Sequence, residues 1–216
     1  MNVFRYLTSL LYPKKCPFCK RLIVEEKACC VQCEKTVPYI GEDLLPLHIP
    51  ELEACYSVFR YEGLVREALL RYKFSGAAAY EESFGFFLGK CIDEYDIICD
   101  IVTWAPLSRR RLRERGYDQA RLLAERAAAH MGCDCRKLLR KLRNNPPQSG
   151  TADAAARREN VAGVYELETD TVLQGKRILL VDDIVTTGST LSECARTLKR
   201  GGAAQVIALT VAATLQ

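Results

Sequence analysis

The chain has 216 residues, of which 49% are hydrophobic and 27% charged, and its formal net charge is +4. This length and composition favour a soluble protein with one sizeable core and a small addition. No apolar stretch approaches the roughly 20 residues that a helix needs to cross a bilayer. The short apolar start, residues 1–13, lacks a cleavage site and predicts an amphipathic helix. We therefore expect a cytoplasmic protein without membrane insertion.

Five of the eleven cysteines crowd into residues 16–33, in a chain that carries no secretion signal. A reducing compartment and a metal site explain this pattern better than a disulfide framework does. Two Cys-x-x-Cys pairs can supply four thiolates in the tetrahedral arrangement that Zn²⁺ prefers in closed structural sites. The predicted ligands of a small zinc-ribbon-like module are Cys16, Cys19, Cys30 and Cys33. Cys29 stays open as an alternative to Cys30.

After a linker at 36–54, which contains three prolines, the chain alternates predicted strands and helices. Strands are expected at 55–63, 100–106, 177–183 and 205–213. Helices with apolar stripes are expected within 64–72, 84–95, 118–131 and 191–198. The alternation predicts an α/β fold, a parallel sheet with helices on both faces. We expect two domains, 1–50 and 51–216.

The stretch KRILLVDDIVTTGST, residues 176–190, places two acids and a small hydroxyl-rich turn after an apolar strand. Ligands of parallel sheets bind beyond the carboxyl ends of the strands. The N-terminus of the following helix offers free N–H groups to a phosphate, and Gly188 lets the backbone approach closely. The acids would repel that phosphate unless they engaged sugar hydroxyls, directly or through Mg²⁺. The stretch thus predicts a ribose 5-phosphate site; the alternative is a capped helix after solvated acids.

This stretch resembles the signature for 5-phosphoribosyl 1-diphosphate (PRPP) in type I phosphoribosyltransferases. Further segments occur in the order typical of the competence ComF family, which the chain resembles over nearly its whole length. They are the paired cysteines, YEGLVREALLRYKFSG, APLSRRRLRERGYDQARLLA and PPQSGTADAAARRENVAGVY. RGYDQA differs mildly from the commoner Arg-Gly-Phe-Asn-Gln, and TWAPLS replaces a Val-Pro-Val-Pro run. The resemblance implies a type I phosphoribosyltransferase-like parallel sheet, flanked by helices, that binds PRPP with Mg²⁺.

The resemblance also implies roles for particular residues. Asp182 and Asp183 would hold the ribose hydroxyls as the catalytic acids. The 5-phosphate would be held by Thr186, Thr187, Gly188, Ser189 and Thr190. The pyrophosphate loop would contain Leu107, Ser108 and Arg109. A lid at 144–160 would contain Gln148, Arg157, Arg158 and Asn160. Residues 136–143, whose spacing alone favours a helix, would form a strand that leads into this lid.

The acceptor of a phosphoribosyl transfer is not identified by the sequence. In purine-salvage relatives, the position of Thr186 is an Asp that acts as general base, and threonine cannot do this at neutral pH. Because the chain ends soon after its last strand, we expect a hood over the acceptor to come from the N-terminal region.

Two basic segments, 109–115 and 136–143, suit a nucleic-acid backbone, although the first also suits pyrophosphate and the second a solvated face. Trp104 and Tyr117 are candidate stacking surfaces for single strands. With the family resemblance, these features predict a PRPP-binding protein that serves DNA uptake in natural transformation. Its expected partners are PRPP, single-stranded DNA and the uptake machinery. The alternatives are an active phosphoribosyltransferase of nucleotide salvage, and a zinc-bearing DNA-binding adaptor whose cradle has lost PRPP.

Overall fold

The computed structural model describes residues 13–24, 26–74, 79–142, 163–169 and 172–215. The predicted N-terminal amphipathic helix lies outside the described residues. So do the four predicted lid residues, which are Gln148, Arg157, Arg158 and Asn160.

The described residues contain seven strands: β1 (Ala54–Arg60), β2 (Ile101–Trp104), β3 (Asp134–Cys135), β4 (Leu139–Lys141), β5 (Tyr165–Leu167), β6 (Arg177–Val185) and β7 (Gln205–Ala213). Five of them form a parallel sheet in the order β1-β7-β6-β2-β3. Strands β4 and β5 form a separate antiparallel pair. The predicted parallel sheet is confirmed, and 136–143 contains a strand rather than a helix.

The described helices are α1 (Val31–Thr36), α2 (Gly63–Phe74), α3 (Tyr80–Glu94), α4 (Arg109–Arg115), α5 (Gln119–Met131) and α6 (Ser189–Arg200). As the sequence predicted, Asp118 caps α5, because its Oδ1 accepts a hydrogen bond from the Arg121 N–H at 3.3 Å. Gly132 ends that helix in the left-handed conformation. Among the described residues, no helix combines the length and apolar character needed to cross a membrane.

Two hydrophobic clusters cover opposite faces of the sheet. Along β6, Leu179 and Val181 belong to one cluster, and Ile178 and Leu180 belong to the other. Successive strand residues point to opposite faces, so this alternation separates the clusters. Helices α2, α3 and α5 contribute to the first cluster, whereas α6 and the β4–β5 pair contribute to the second. The expected layering of helix, sheet and helix is confirmed.

Three strand ends differ from the expected ones. Strand β1 ends at Arg60, and Gly63, with φ of +48°, already opens α2. Strand β2 ends at Trp104, two residues before the imino group of Pro106, which cannot donate a hydrogen bond. Strand β6 continues through both acids to Val185, because its partner β7 still pairs with it there.

The cysteine-bearing segment packs directly against the sheet domain. Phe18, only 1% exposed, lies with its ring centroid 5.6 Å from Phe59, 6.3 Å from Phe84 and 6.1 Å from Phe87. The Arg71 guanidinium of α2 donates to the backbone oxygens of Pro17 and Phe18. The first hydrophobic cluster therefore includes residues from both predicted domains, and the division near residue 50 stays a prediction.

Candidate functional site

The two acids of the signature lie side by side in β6, yet their surroundings differ. Asp183 is buried, and its Oδ1 lies 3.0 Å from the Lys73 Nζ of α2. Asp182 is half-buried, and its Oδ1 accepts a hydrogen bond from the Asp183 N–H at 2.8 Å. One acid is thus paired with a cation, while the other is bonded to the backbone next to it.

Electrostatics separate the two carboxyls further. Burial, followed by repulsion from the Asp183 carboxylate, raises the pKa of Asp182 well above its ordinary value, and Lys73 opposes this effect. The Asp183 Oδ2 is buried and has no hydrogen-bond partner among the described residues. A buried acceptor without a donor is unfavourable, so this oxygen is ready to accept from a ligand hydroxyl or a metal-bound water.

The turn after β6 forms the second part of the site. Gly188 has φ of +73°, and a Cβ placed on it would come within 2.9 Å of the Ile49 side chain. The hydroxyls of Thr187 and Ser189 lie 2.9 Å apart, and Thr186 is exposed. The turn therefore leads its hydroxyls and the N-terminus of α6 to the same end of the sheet as the acids. Ile49, from the predicted N-terminal domain, packs next to Gly188 in this turn.

The loop after β2 runs alongside this end of β6. The Ala105 N–H donates to the Val181 oxygen at 3.0 Å, just before the acids. The Leu107 N–H donates to the Asp118 Oδ2 at 3.1 Å, and the buried Ser108 caps α4 through the Arg111 N–H. Because β2 and β6 are neighbours, the predicted pyrophosphate loop and the acid pair lie at adjacent strand ends. Arg109 is exposed.

Several cations lie near the acids. Lys73 had no role predicted from the sequence, whereas Arg115 and Lys141 belong to the two predicted basic segments. The Arg115 guanidinium lies 4.8 Å from the Phe74 ring centroid, and its Nη1 is buried without a partner among the described residues. Burial lowers the pKa of Arg115, while Asp183 raises it. Lys141 of β4 donates to the Tyr165 hydroxyl at 3.0 Å. Lys73 and Arg115 both lie in the segments that carry the family resemblance, and this position was the one sequence signal that could have pointed to them.

A groove of about 1090 Å³ adjoins this site between α4, the start of α5 and β4. Its walls include Trp104 and Tyr117, but Trp104 is buried and only Tyr117 is half-buried. The lining has two acids, Asp118 and Glu168. Its cations are Arg109, Arg110, Arg113, Arg121, Lys137, Arg140 and Lys141. A concave surface with this excess of positive charge attracts anions.

The predicted zinc ligands converge at one point. The Sγ atoms of Cys16, Cys19, Cys30 and Cys33 all lie within 4.8 Å of one another. Tetrahedral zinc, with Zn–S bonds of about 2.3 Å, separates its sulfurs by about 3.8 Å. The Cys19 and Cys30 sulfurs lie 3.5 Å apart, so the four residues fit such an ion closely. Cys29 lies outside the group and packs in the hydrophobic core.

The pKa values of the clustered thiols differ. Hydrogen bonding from the Cys33 N–H lowers the pKa of the Cys30 thiol to about 7, whereas burial raises the pKa of Cys29 to about 12. Burial also raises the pKa values of Cys16 and Cys33. The convergence of the four sulfurs is therefore what shows that the cluster can hold a metal ion.

Comparisons with known proteins identify the family of this chain. The family model described as "Phosphoribosyl transferase domain" matches residues 118–216, which include both acids and the turn. With the parallel sheet, this match defines a phosphoribosyltransferase-type fold. The chain is 33% identical over 205 residues to "Competence protein ComFC" of Bacillus subtilis, covering 91% of this chain and 76% of that protein. The chain belongs to the ComF family of competence proteins.

Further similarities extend over smaller parts of the chain. The chain is 38% identical over 109 residues to "DNA utilization protein YhgH" of Salmonella typhi, covering 50% of this chain and 46% of that protein. A solved structure, the B. subtilis glutamine PRPP amidotransferase complexed with ADP and GMP, has 23% identity and a TM-score of 0.41. It covers 60% of this chain and 25% of that chain. The fold assignment rests on the family match and the sheet instead.

Proposed function

We propose that the acid pair and the following turn bind PRPP with Mg²⁺. The observation that carries this proposal is the buried, unpartnered Oδ2 of Asp183, two residues before the end of β6 and the turn that leads into α6. Asp182 and Asp183 would accept hydrogen bonds from the ribose hydroxyls. The N–H groups and hydroxyls at 186–190 would bind the 5-phosphate, since a helix N-terminus favours an anion.

The same acids suit Mg²⁺, which prefers oxygen ligands and keeps much of its shell in waters and substrate phosphates. When bound, the ion would neutralise charge on the pyrophosphate. Asp182 and Asp183 would hold it through their carboxylates, directly or through water. The Lys73 Nζ lies 3.0 Å from the Asp183 Oδ1 and helps to fix the orientation of this carboxyl group.

The pyrophosphate end would lie against the loop after β2. Leu107, Ser108 and Arg109 are its proposed backbone and side-chain contacts. The buried, unpartnered Nη1 of Arg115 adds a donor whose burial strengthens its attraction for an anion. In this proposal, Arg109 and Arg115 would lie on one side of the acid pair, and the N-terminus of α6 would lie on the other. The lid residues Gln148, Arg157, Arg158 and Asn160 stay proposals from the resemblance.

For the cysteine cluster we propose a structural Zn²⁺ held by Cys16, Cys19, Cys30 and Cys33. The convergence of the four sulfurs within 4.8 Å of one another supports this ion, and a closed Cys₄ site needs no further ligand.

For the basic groove we propose single-stranded DNA as ligand, in a protein that serves DNA uptake. The names of ComFC and YhgH relatives, competence and DNA utilization, support this role. Several groove cations pair with exposed acids, and such surface pairs are worth less than about 1 kcal/mol, so phosphates can replace those acids. Arg109 and Arg113 have no acidic partner among the residues that the structure describes.

A thermal-shift experiment tests the PRPP proposal. PRPP with Mg²⁺ should raise the melting temperature of the wild type, because a ligand that binds the folded state stabilises it by mass action. The double variant Asp182→Asn/Asp183→Asn should show no PRPP-dependent shift relative to its own ligand-free state. An equal shift in both proteins would overturn the assignment.

Pyrophosphate release in the presence of a panel of nucleobases separates binding from turnover. Acceptor-dependent release would make this protein an active phosphoribosyltransferase, the alternative function. Binding without release would make PRPP a ligand of a DNA-handling protein. We expect the second result, because the exposed Thr186 cannot act as general base.

Fluorescence anisotropy with labelled single-stranded DNA tests the groove. Neutralising two phosphate contacts with Arg109→Gln/Arg113→Gln should lower the slope of log K against log[salt] by about 1.4. Arg66→Gln, on the exposed side of α2, is the matched control. Unchanged affinity and slope in the groove variant would contradict the proposed path.

A further inference from the structure

We infer that Lys73 is a further residue of the PRPP site and that Arg71 positions it from the cysteine cluster. This inference rests on the proposed PRPP function. Both cations lie in the last turn of α2, and they bind opposite partners, Arg71 the Cys-x-x-Cys loop and Lys73 the buried acid Asp183.

The Lys73–Asp183 pair determines how the acid faces a ligand. The side chains of Lys73 and Asp183 are only 19% and 5% exposed, and the Lys73 Nζ lies 3.0 Å from Oδ1. Burial of a carboxylate is costly unless a cation is paired with it. Since lysine binds Oδ1 as a single point charge, Oδ2 is left for a second donor. Lys73 thus sets the orientation of Asp183.

Arg71 connects the same turn to the metal ligands. Its Nη2 donates to the Pro17 oxygen at 2.7 Å and to the Phe18 oxygen at 2.9 Å. These two residues are the ones enclosed by Cys16 and Cys19. An ion held by both thiolates fixes the loop between them, and with it the two carbonyls that Arg71 binds.

The segment between the two cations is held rigidly. Tyr72 is fully buried, and its hydroxyl donates to the Gln119 oxygen at 3.0 Å. The Tyr72 backbone oxygen accepts a hydrogen bond from the Tyr117 hydroxyl, and the Phe74 ring stacks against the Arg115 guanidinium. Close-packed segments transmit a displacement rather than absorb it. Loss of the metal would therefore shift Lys73 relative to Asp183.

Metal binding and PRPP binding should then strengthen each other. Coupling is reciprocal, so a metal that favours PRPP binding must itself be held more tightly when PRPP is bound. Coupling between sites typically changes affinity by about 5- to 150-fold, and we expect about tenfold here.

Equilibrium competition for zinc with a chromophoric chelator tests this inference on the zinc-loaded, full-length protein. PRPP with Mg²⁺ should raise the zinc affinity of the wild type about tenfold. The variant Asp182→Asn/Asp183→Asn measures any direct effect of PRPP on free zinc or the chelator. Lys73→Met should retain zinc but lose the PRPP effect, and Lys73→Arg should restore part of it. Arg71→Leu should also lose the effect, whereas Arg66→Leu, exposed on the same helix, should keep it.

The outcomes separate the two proposals. No PRPP-induced thermal shift in wild type would overturn the PRPP function itself. A clear thermal shift with unchanged zinc affinity would leave that function intact and overturn the coupling. A full PRPP effect in Lys73→Met or Arg71→Leu would overturn the role of that residue. If Lys73→Met does not fold, the effect in Lys73→Arg relative to wild type decides the role of Lys73, since a purely structural lysine would leave it unchanged.

Discussion

Replacing Phe18 by alanine tests whether the cysteine loop and the sheet share one core. Phe18 is 1% exposed and contacts three phenylalanines that belong to β1 and α3. Truncating a buried phenylalanine typically costs about 3–5 kcal/mol. With a urea m-value near the upper end of the usual range, about 2–3 kcal/mol per molar, the unfolding midpoint should fall by about 1–2.5 M.

Two probes report the two parts in one titration. The single tryptophan, Trp104, belongs to the same hydrophobic cluster as Phe18 and reports the sheet, while zinc released to a dye reports the cysteine cluster. We expect both midpoints to fall together in Phe18→Ala. Phe86→Ala is the matched control, because Phe86 is 47% exposed and its loss should cost less than about 1 kcal/mol. Zinc release at lower urea with an unchanged Trp104 midpoint would refute the shared core.

Three further predictions concern the turn, the acids and the metal. Gly188→Ala should cost at least twice the roughly 1 kcal/mol expected for Gly116→Ala. Both glycines have positive φ, but a Cβ at Gly188 would lie 2.9 Å from the Ile49 side chain, whereas a Cβ at Gly116 would have no described atom within 4 Å. Equal thermal destabilisation by the two substitutions would contradict this prediction. Asp182→Asn should raise the free energy of unfolding at pH 8 by about 0.5–2 kcal/mol, because ionised Asp182 is disfavoured in the folded state. The gain should vanish below pH ~4, where the unfolded aspartate also keeps its proton; no gain at pH 8 would refute it. Metal analysis should give about one Zn²⁺ per chain, and a chelator should lower the melting temperature; an unchanged melting temperature in metal-free protein would count against the structural ion.

The local features of this fold were predictable from the sequence. Asp118 and Gly132 mark the two ends of helix α5 in the sequence. The apolar run of β6 is typical of a strand that is buried on both faces of its sheet. The Cys-x-x-Cys spacing likewise indicated four ligands. Each of these signals lies within a few residues of the feature that it specifies.

The site residues that were not predicted from the sequence depend on contacts between distant parts of the chain. Lys73 and Asp183 are 110 positions apart, and nothing in the pattern of α2 distinguishes a lysine that pairs with a buried acid from one that faces solvent. The same holds for Arg115 and for Arg71. Spacing alone favoured a helix at 136–143, whereas the family resemblance implied the strand that the structure has at Leu139–Lys141. Three residues are too few for a period, and the pairing with β5 decides their conformation. Tertiary contacts supplied these answers.

Calorimetric titration of PRPP into the zinc-loaded protein, with and without Mg²⁺, tests the central claim most directly. We predict saturable, Mg²⁺-dependent binding to about one site per chain, which the Asp182→Asn/Asp183→Asn variant lacks while keeping the wild-type circular dichroism spectrum. Binding that persists in the variant, or no binding to the wild type, would contradict the assignment of the acid pair and its turn as a PRPP site.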